Sequence, residues 1–117
     1  NLAELFHHET DLRELPAGAT LFREGDQGDL MYVLVSGAAE ISVGGRVMET
    51  AEAGAIVGEM AMIDDGARSA TVVAKTDCKF VPIDRRRFNF LVQQTPNFAL
   101  HVMRVIANRL RRTDAIL

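Results

Sequence analysis

The residues best suited to chemistry lie in one stretch, Gly58-Glu59-Met60-Ala61-Met62-Ile63-Asp64-Asp65-Gly66-Ala67-Arg68-Ser69-Ala70-Thr71-Val72. Its pattern is a strand ending at Gly58, a short apolar turn of helix, a loop with two acids and a glycine, and an arginine that opens the next strand. The start of a helical turn presents N–H groups without partners and a partial positive charge, so a phosphate can sit there if no side chain blocks it. Gly58 and Ala61 keep that approach open. Arg68 would add a rigid fork of donors matched to phosphate oxygens, a role that lysine fills poorly. An acid in an anion site makes sense if the ligand also carries a sugar, because a carboxylate accepts well from a ribose hydroxyl. Glu59 would then read a 2′-OH. Taken alone, Arg68 reads as a surface arginine and Glu59 as an acid near a helix start. Their spacing within one motif favours the ligand reading.

These residues need a scaffold, and the sequence describes one. Glycines recur at Gly18, Gly25, Gly28, Gly37, Gly44-Gly45, Gly54, Gly58 and Gly66, with short runs of Val, Ile, Leu and Thr between them. That rhythm predicts an all-β sandwich or roll with glycines at positive-φ turns. The strands are expected over 11–15, 20–23, 31–36, 38–43, 46–51, 55–57, 69–74 and 78–83, with Gly44-Gly45 turning a two-residue hairpin. After Ile83 the period changes. Asp84 can cap a helix over about 85–94 whose apolar positions are Phe88, Leu91 and Val92, and Pro96 starts a longer helix to about 114. Leu2, Leu5 and Phe6 suggest a short helix packing back on the roll. In the last helix Ala99, Met103, Ile106, Leu110, Thr113 and Leu117 alternate four- and three-residue steps, a heptad seam for a homodimer. Phe98, Val102 and Val105 form a second apolar line, expected to face the roll. The alternative is one broad core face on a single domain.

Composition narrows the function. The chain has 117 residues, 48% of them hydrophobic, enough for one core and one domain. A net charge of −3 gives no positive field to draw nucleic acid or an anionic membrane. Arg85-Arg86-Arg87 reads as a solvated helix face, although cations near a helix start are electrostatically unfavourable. The single Cys78 excludes an internal disulfide or a cysteine metal cluster and fits a cytoplasmic location. The longest apolar run, Leu30 to Val35, is far short of the ~20 residues of a membrane span. Asp64 and Asp65 lack further oxygen ligands at regular spacing, and His7, His8 and His101 fall near the chain ends, so no metal is expected. No nucleophile motif or HExxH is present, and no enzyme is expected.

The 58–70 segment resembles the phosphate-binding cassette of the cyclic-nucleotide-binding family, in which Gly-Glu-(Leu/Met)-Ala is followed by Arg-(Ser/Thr/Ala)-Ala. The likeness extends to Pro16-Ala-Gly18, to Glu24-Gly25-Asp26-Gln27-Gly28-Asp29, to Val35-Ser36-Gly37 and to Ala74-Lys-Thr-Asp-Cys78. It covers almost the whole of 1–117. It implies an antiparallel β-roll over about 11–84, with an N-terminal helix and two C-terminal helices, the last of which often closes over the base. It also implies a regulatory domain that binds cyclic AMP and signals through that helix. By the resemblance Glu59 is the ribose acceptor, Arg68 the phosphate clamp, and Gly58, Met60 and Ala61 the backbone around the phosphate. Ser69 matches a phosphate-contacting hydroxyl, Ala70 completes the motif, and Thr113 matches a hydroxyl that meets adenine. Ser69 suits cyclic AMP and does not exclude cyclic GMP. No winged helix-turn-helix follows Leu117, so DNA binding by this chain is not expected, and an output domain would lie outside it. The competing reading is a ligand-free roll that serves as a dimerisation module.

Overall fold

A computed structural model describes residues 2–114, and the side chains of 2–111. The elements are α1 (Leu2–Leu5), β1 (Arg13–Leu15), β2 (Thr20–Phe22), β3 (Met31–Ser36), β4 (Ala39–Val43), β5 (Arg46–Ala51), β6 (Ile56–Val57), a 3-10 turn (Glu59–Met62), β7 (Thr71–Ala74), β8 (Cys78–Ile83), α2 (Arg85–Gln94) and α3 (Pro96–Asp114). The strands form two antiparallel four-stranded sheets, ordered β1-β8-β3-β6 and β2-β7-β4-β5. This is the expected β-roll with flanking helices.

Five of the expected strands begin or end one or two residues differently, at β1, β2, β4, β6 and β7, and local hydrogen bonds explain two of the cases. Ala38 stands outside β4 because its N–H donates to Thr76 Oγ1 and its carbonyl accepts from the N–H groups of Lys75 and Thr76. Ser69 and Ala70 stand outside β7 because the preceding residue is tied elsewhere: Arg68 N–H donates to the Asp26 carbonyl at 2.8 Å, and the Arg68 carbonyl accepts from Gly25 N–H at 2.9 Å. β1 begins at Arg13 rather than 11 and pairs only with the Cys78–Phe80 end of β8.

The core has two layers, because three strands of the first sheet are buried on both faces. On β3, Tyr32 and Leu34 point between the sheets, while Met31 and Val33 point toward the helices. β6 divides in the same way, with Val57 between the sheets and Ile56 on the helix side. Alternate side chains of a strand face opposite ways, so a continuous apolar run is what a sheet covered on both sides requires. The helix-side layer takes Phe6, Phe98 and Val102, with Phe98 set edge-on to Phe88 of α2 at 5.8 Å. Asp84 caps α2 as expected, accepting from Arg87 N–H at 2.8 Å.

The hairpin at Gly44-Gly45 has φ of 59° and 80°, as its two-residue turn requires. Gly28 and Gly66 depart from the expected positive-φ role and have ordinary φ. For Gly28 the reason for glycine is close approach by Arg68.

Candidate functional site

The 3-10 turn follows β6 directly, and Gly58 makes the corner at φ 73° and ψ 19°. That left-handed conformation disfavours any side chain. Ala61 N–H donates to the Gly58 carbonyl at 3.2 Å and closes the turn. Glu59 and Met60 keep the N–H groups that such a turn leaves without internal partners. Ala61 and Met62 are buried in the helix-side core, so the turn is pinned by packing on one side and faces the roll interior on the other.

Arg68 is seated by glycines and an aromatic ring. A Cβ on Gly28 would come within 2.4 Å of its Nη2, and a Cβ on Gly58 within 2.7 Å of its Nη1. The guanidinium lies 4.2 Å from the centre of the Phe22 ring, a cation–π contact, and Nη1 donates weakly to the Gly58 carbonyl at 3.4 Å. Burial pushes its pKa down, against the opposing pull of Tyr32, Asp29, Asp26 and Glu59. Among the described residues its Nε is the buried side-chain nitrogen or oxygen left without a hydrogen-bond partner. Buried donors are normally satisfied, so an orphan in a cationic fork is what a site for an anionic acceptor presents.

Glu59 is buried, 6% exposed, and its Oε1 is paired with Arg109 Nη1 from α3. Arg109 also donates from Nε to Glu49 Oε1 at 3.1 Å and from Nη2 to the Ile56 carbonyl at 2.8 Å. Burial would lower the Arg109 pKa, but Glu49 and Glu59 outweigh it and raise it. The last helix is therefore fastened across β5, β6 and the turn by one side chain.

Gly58, Glu59, Met60, Ala61, Arg68, Ser69 and Ala70, seven of the eight expected site residues, line one cavity, whose floor includes Phe22 and Val72 and whose wall includes Arg109. Its volume is about 70 Å³. A recess of about 240 Å³ adjoins it, sharing Ile41, Ser69, Ala70 and Arg109 and lined further by Val43, Met48 and Glu49. Met60 and Ser69 are exposed. Thr113 lies in α3, and its side chain is outside the described residues.

The heptad seam is divided. Met103 and Leu110 are 58% and 59% exposed, whereas Ile106 packs against the helix-side core beside Val105. The exposed line on α3 runs through Leu100, Met103 and Leu110. Leu117 lies outside the described residues. The arginines at the start of α2 are only partly a solvated face. Arg85 Nη2 donates to the Ala61 carbonyl, and Arg87 pairs with Glu9 and lies over the Phe6 ring.

Sequence reasoning missed Arg109, Glu49, Phe22 and the packing role of Gly28. Arg109 carried a usable signal: it lies four residues before Thr113, on the same helix face. The other three come from β2, β5 and the loop before β3, and nothing in their local sequence marks them as neighbours of the site.

The geometry has counterparts among known proteins. A family profile described as "Cyclic nucleotide-binding domain" matches residues 12–95. The chain is 30% identical over 108 residues to the CRP-like cAMP-activated global transcriptional regulator of Mycobacterium tuberculosis, covering 86% of this chain and 47% of the relative. It is 32% identical over 80 residues to a cGMP-dependent protein kinase of Drosophila melanogaster, covering 68% of this chain and 7% of the kinase. The crystal structure of Thermus thermophilus catabolite activator protein superposes with a TM-score of 0.77 at 29% identity, covering 95% of this chain and 60% of that one. The chain thus spans half or less of the length of these two relatives.

Proposed function

We propose that this chain, which belongs to the cyclic nucleotide-binding domain family, is a cytoplasmic sensor unit that binds cyclic AMP and reports its occupancy through α3. The domain spans 1–117, with the roll over about 11–84 as the binding part and the two C-terminal helices as the reporting part. The observation that carries this reading is Arg68: its guanidinium is cradled by Gly28, Gly58 and Phe22 at the cavity, with a buried Nε awaiting an acceptor. The cyclic phosphate takes that fork together with the N–H groups at the start of the 3-10 turn. The ribose 2′-OH donates to Glu59. A carboxylate has about four acceptor positions, so Glu59 can hold the sugar and Arg109 together.

The 70 Å³ cavity is well below the ~300–1,000 Å³ of ligand pockets, and Arg109 lines both it and the adjoining recess. We assign that recess to the purine. Entry then requires Arg109, and α3 with it, to shift, which gives the ligand a differential affinity for two helix positions. Without such a difference no population moves. Ser69 borders both spaces, suits cyclic AMP and does not exclude cyclic GMP. Relatives named for each nucleotide are consistent with either. Titration calorimetry with both nucleotides tests the reading. Wild type should bind, and Arg68→Ala should weaken binding about 100-fold, as expected for a lost charge-assisted pair of roughly 3 kcal/mol. Absence of heat at millimolar ligand would refute it.

The exposed Leu100, Met103 and Leu110 line supports a second element, a homodimer through α3. If wild type dimerises and ignores nucleotide, the chain is a ligand-free interaction module instead.

A further inference from the structure

Arg85 sits in the first turn of α2, where the positive end of the helix macrodipole disfavours a cation. What it gains there is a contact with the cassette. Its Nη2 donates to the Ala61 carbonyl at 2.9 Å and lies 3.3 Å from Asp65 Oδ1. These acceptors belong to the two arms of one loop: Ala61 lies in the turn that carries Glu59, and Asp65 in the segment leading to Arg68. The neighbouring Met60 carbonyl accepts from the N–H groups of Ile63 and Asp64, both at 3.0 Å, so the turn closes on itself there and reaches α2 one residue later. The Asp65 side chain is 95% exposed, and its ion pair adds little. The Ala61 contact matters more, because Ala61 is buried and a buried carbonyl without a donor is costly. At the other end, the Asp84 cap fixes the backbone from which Arg85 projects.

We propose that Arg85 is a positioning residue: it braces the loop between Glu59 and Arg68 from outside the cavity and makes the first turn of α2 sense whether that loop is closed. This rests on the cyclic-nucleotide reading above. A ligand that orders the loop and an arginine that braces it favour the same loop conformation, so by linkage each strengthens the other. The Phe88–Phe98 contact passes any shift of α2 to α3.

The test compares wild type, Arg85→Ala, Arg85→Lys and Asp65→Asn by calorimetry with cyclic AMP and cyclic GMP, by thermal melting without ligand, and by hydrogen exchange. Arg85→Ala should bind about five- to tenfold more weakly, as one lost charge-assisted contact implies. Its unliganded midpoint should fall by about 4–8 °C, as one stranded buried carbonyl implies, and ligand should no longer slow exchange over 85–94. Arg85→Lys should recover affinity to within about twofold, since an ammonium can still donate to the Ala61 carbonyl. Asp65→Asn should resemble wild type. If Arg85→Ala does not fold, Arg85→Gln replaces it. Wild-type affinity with intact protection of α2 in Arg85→Ala, or no recovery in Arg85→Lys, overturns the proposal. If wild type binds neither nucleotide, the cyclic-nucleotide reading fails on its own. The brace is then read from exchange over 63–67 without ligand, which must quicken in Arg85→Ala and whose constancy would overturn it.

Discussion

Replacing Arg109 by Met keeps most of its packing volume and removes its charge from a site where two carboxylates depend on it. Glu59, Glu49 and Arg109 have side-chain exposures of 7%, 21% and 24%, so the pairs are largely but not wholly buried. Breaking a fully buried pair by removing one partner costs about 3–5 kcal/mol, most of it the penalty of the stranded charge. The residual exposure lowers the expectation to roughly 2–3 kcal/mol, or about 10 °C in melting midpoint for a domain of this size. Urea denaturation gives the free energy directly. A cycle with Glu59→Gln should return a coupling of about 1.5–3 kcal/mol, because neutralising the acid relieves what removal of the arginine creates. The cost should be flat from about pH 6 to 9. Arg109 has a raised pKa, so its contribution is present throughout the range below its unfolded value and is lost only at alkaline pH that no folding experiment reaches. A loss under about 0.5 kcal/mol, or a coupling near zero, would show that Arg109 is a surface residue and that α3 is not fastened to Glu59.

Gly58→Ala places a Cβ 2.7 Å from Arg68 Nη1 at φ 73°, and it should cost about 1–3 kcal/mol in a urea melt and weaken nucleotide binding together with it. Cys78 is buried, and burial raises its thiol pKa, while its S–H donates to the Ala38 and Thr76 carbonyls. The folded state therefore holds that proton more tightly than the unfolded chain, and stability should fall as pH rises past about 9, more steeply in wild type than in Cys78→Ala. Parallel pH profiles would contradict this. Met103→Glu with Leu110→Glu places charge on the exposed α3 line, and sedimentation should show the loss of the homodimer proposed through α3, with folding unchanged because neither residue is buried.

The cassette was legible because its chemistry is local. Gly58, Glu59, Arg68 and Ser69 fall within twelve consecutive residues, so the motif that they form can be read without knowing the fold. The strands were legible for a similar reason, since period-two apolar runs between glycines survive any topology, and all eight were found within two residues at each end. Their order was not. β1-β8-β3-β6 pairs segments whose separation along the chain leaves no trace in either one.

What the sequence by itself determined is the inventory: a glycine corner, an acid, an arginine, a roll to hold them and two helices after it. Tertiary structure decided how each is held. Phe22 lies under the guanidinium, Gly28 gives it room, Arg109 reaches Glu59 from fifty residues away and Glu49 from sixty, and Arg85 reaches Ala61 across twenty-four. Such contacts depend on where strand registers and helix packing bring distant backbones together. An arginine has the same charge wherever it lies, and only its neighbours decide whether it clamps a phosphate, fastens a helix or faces water.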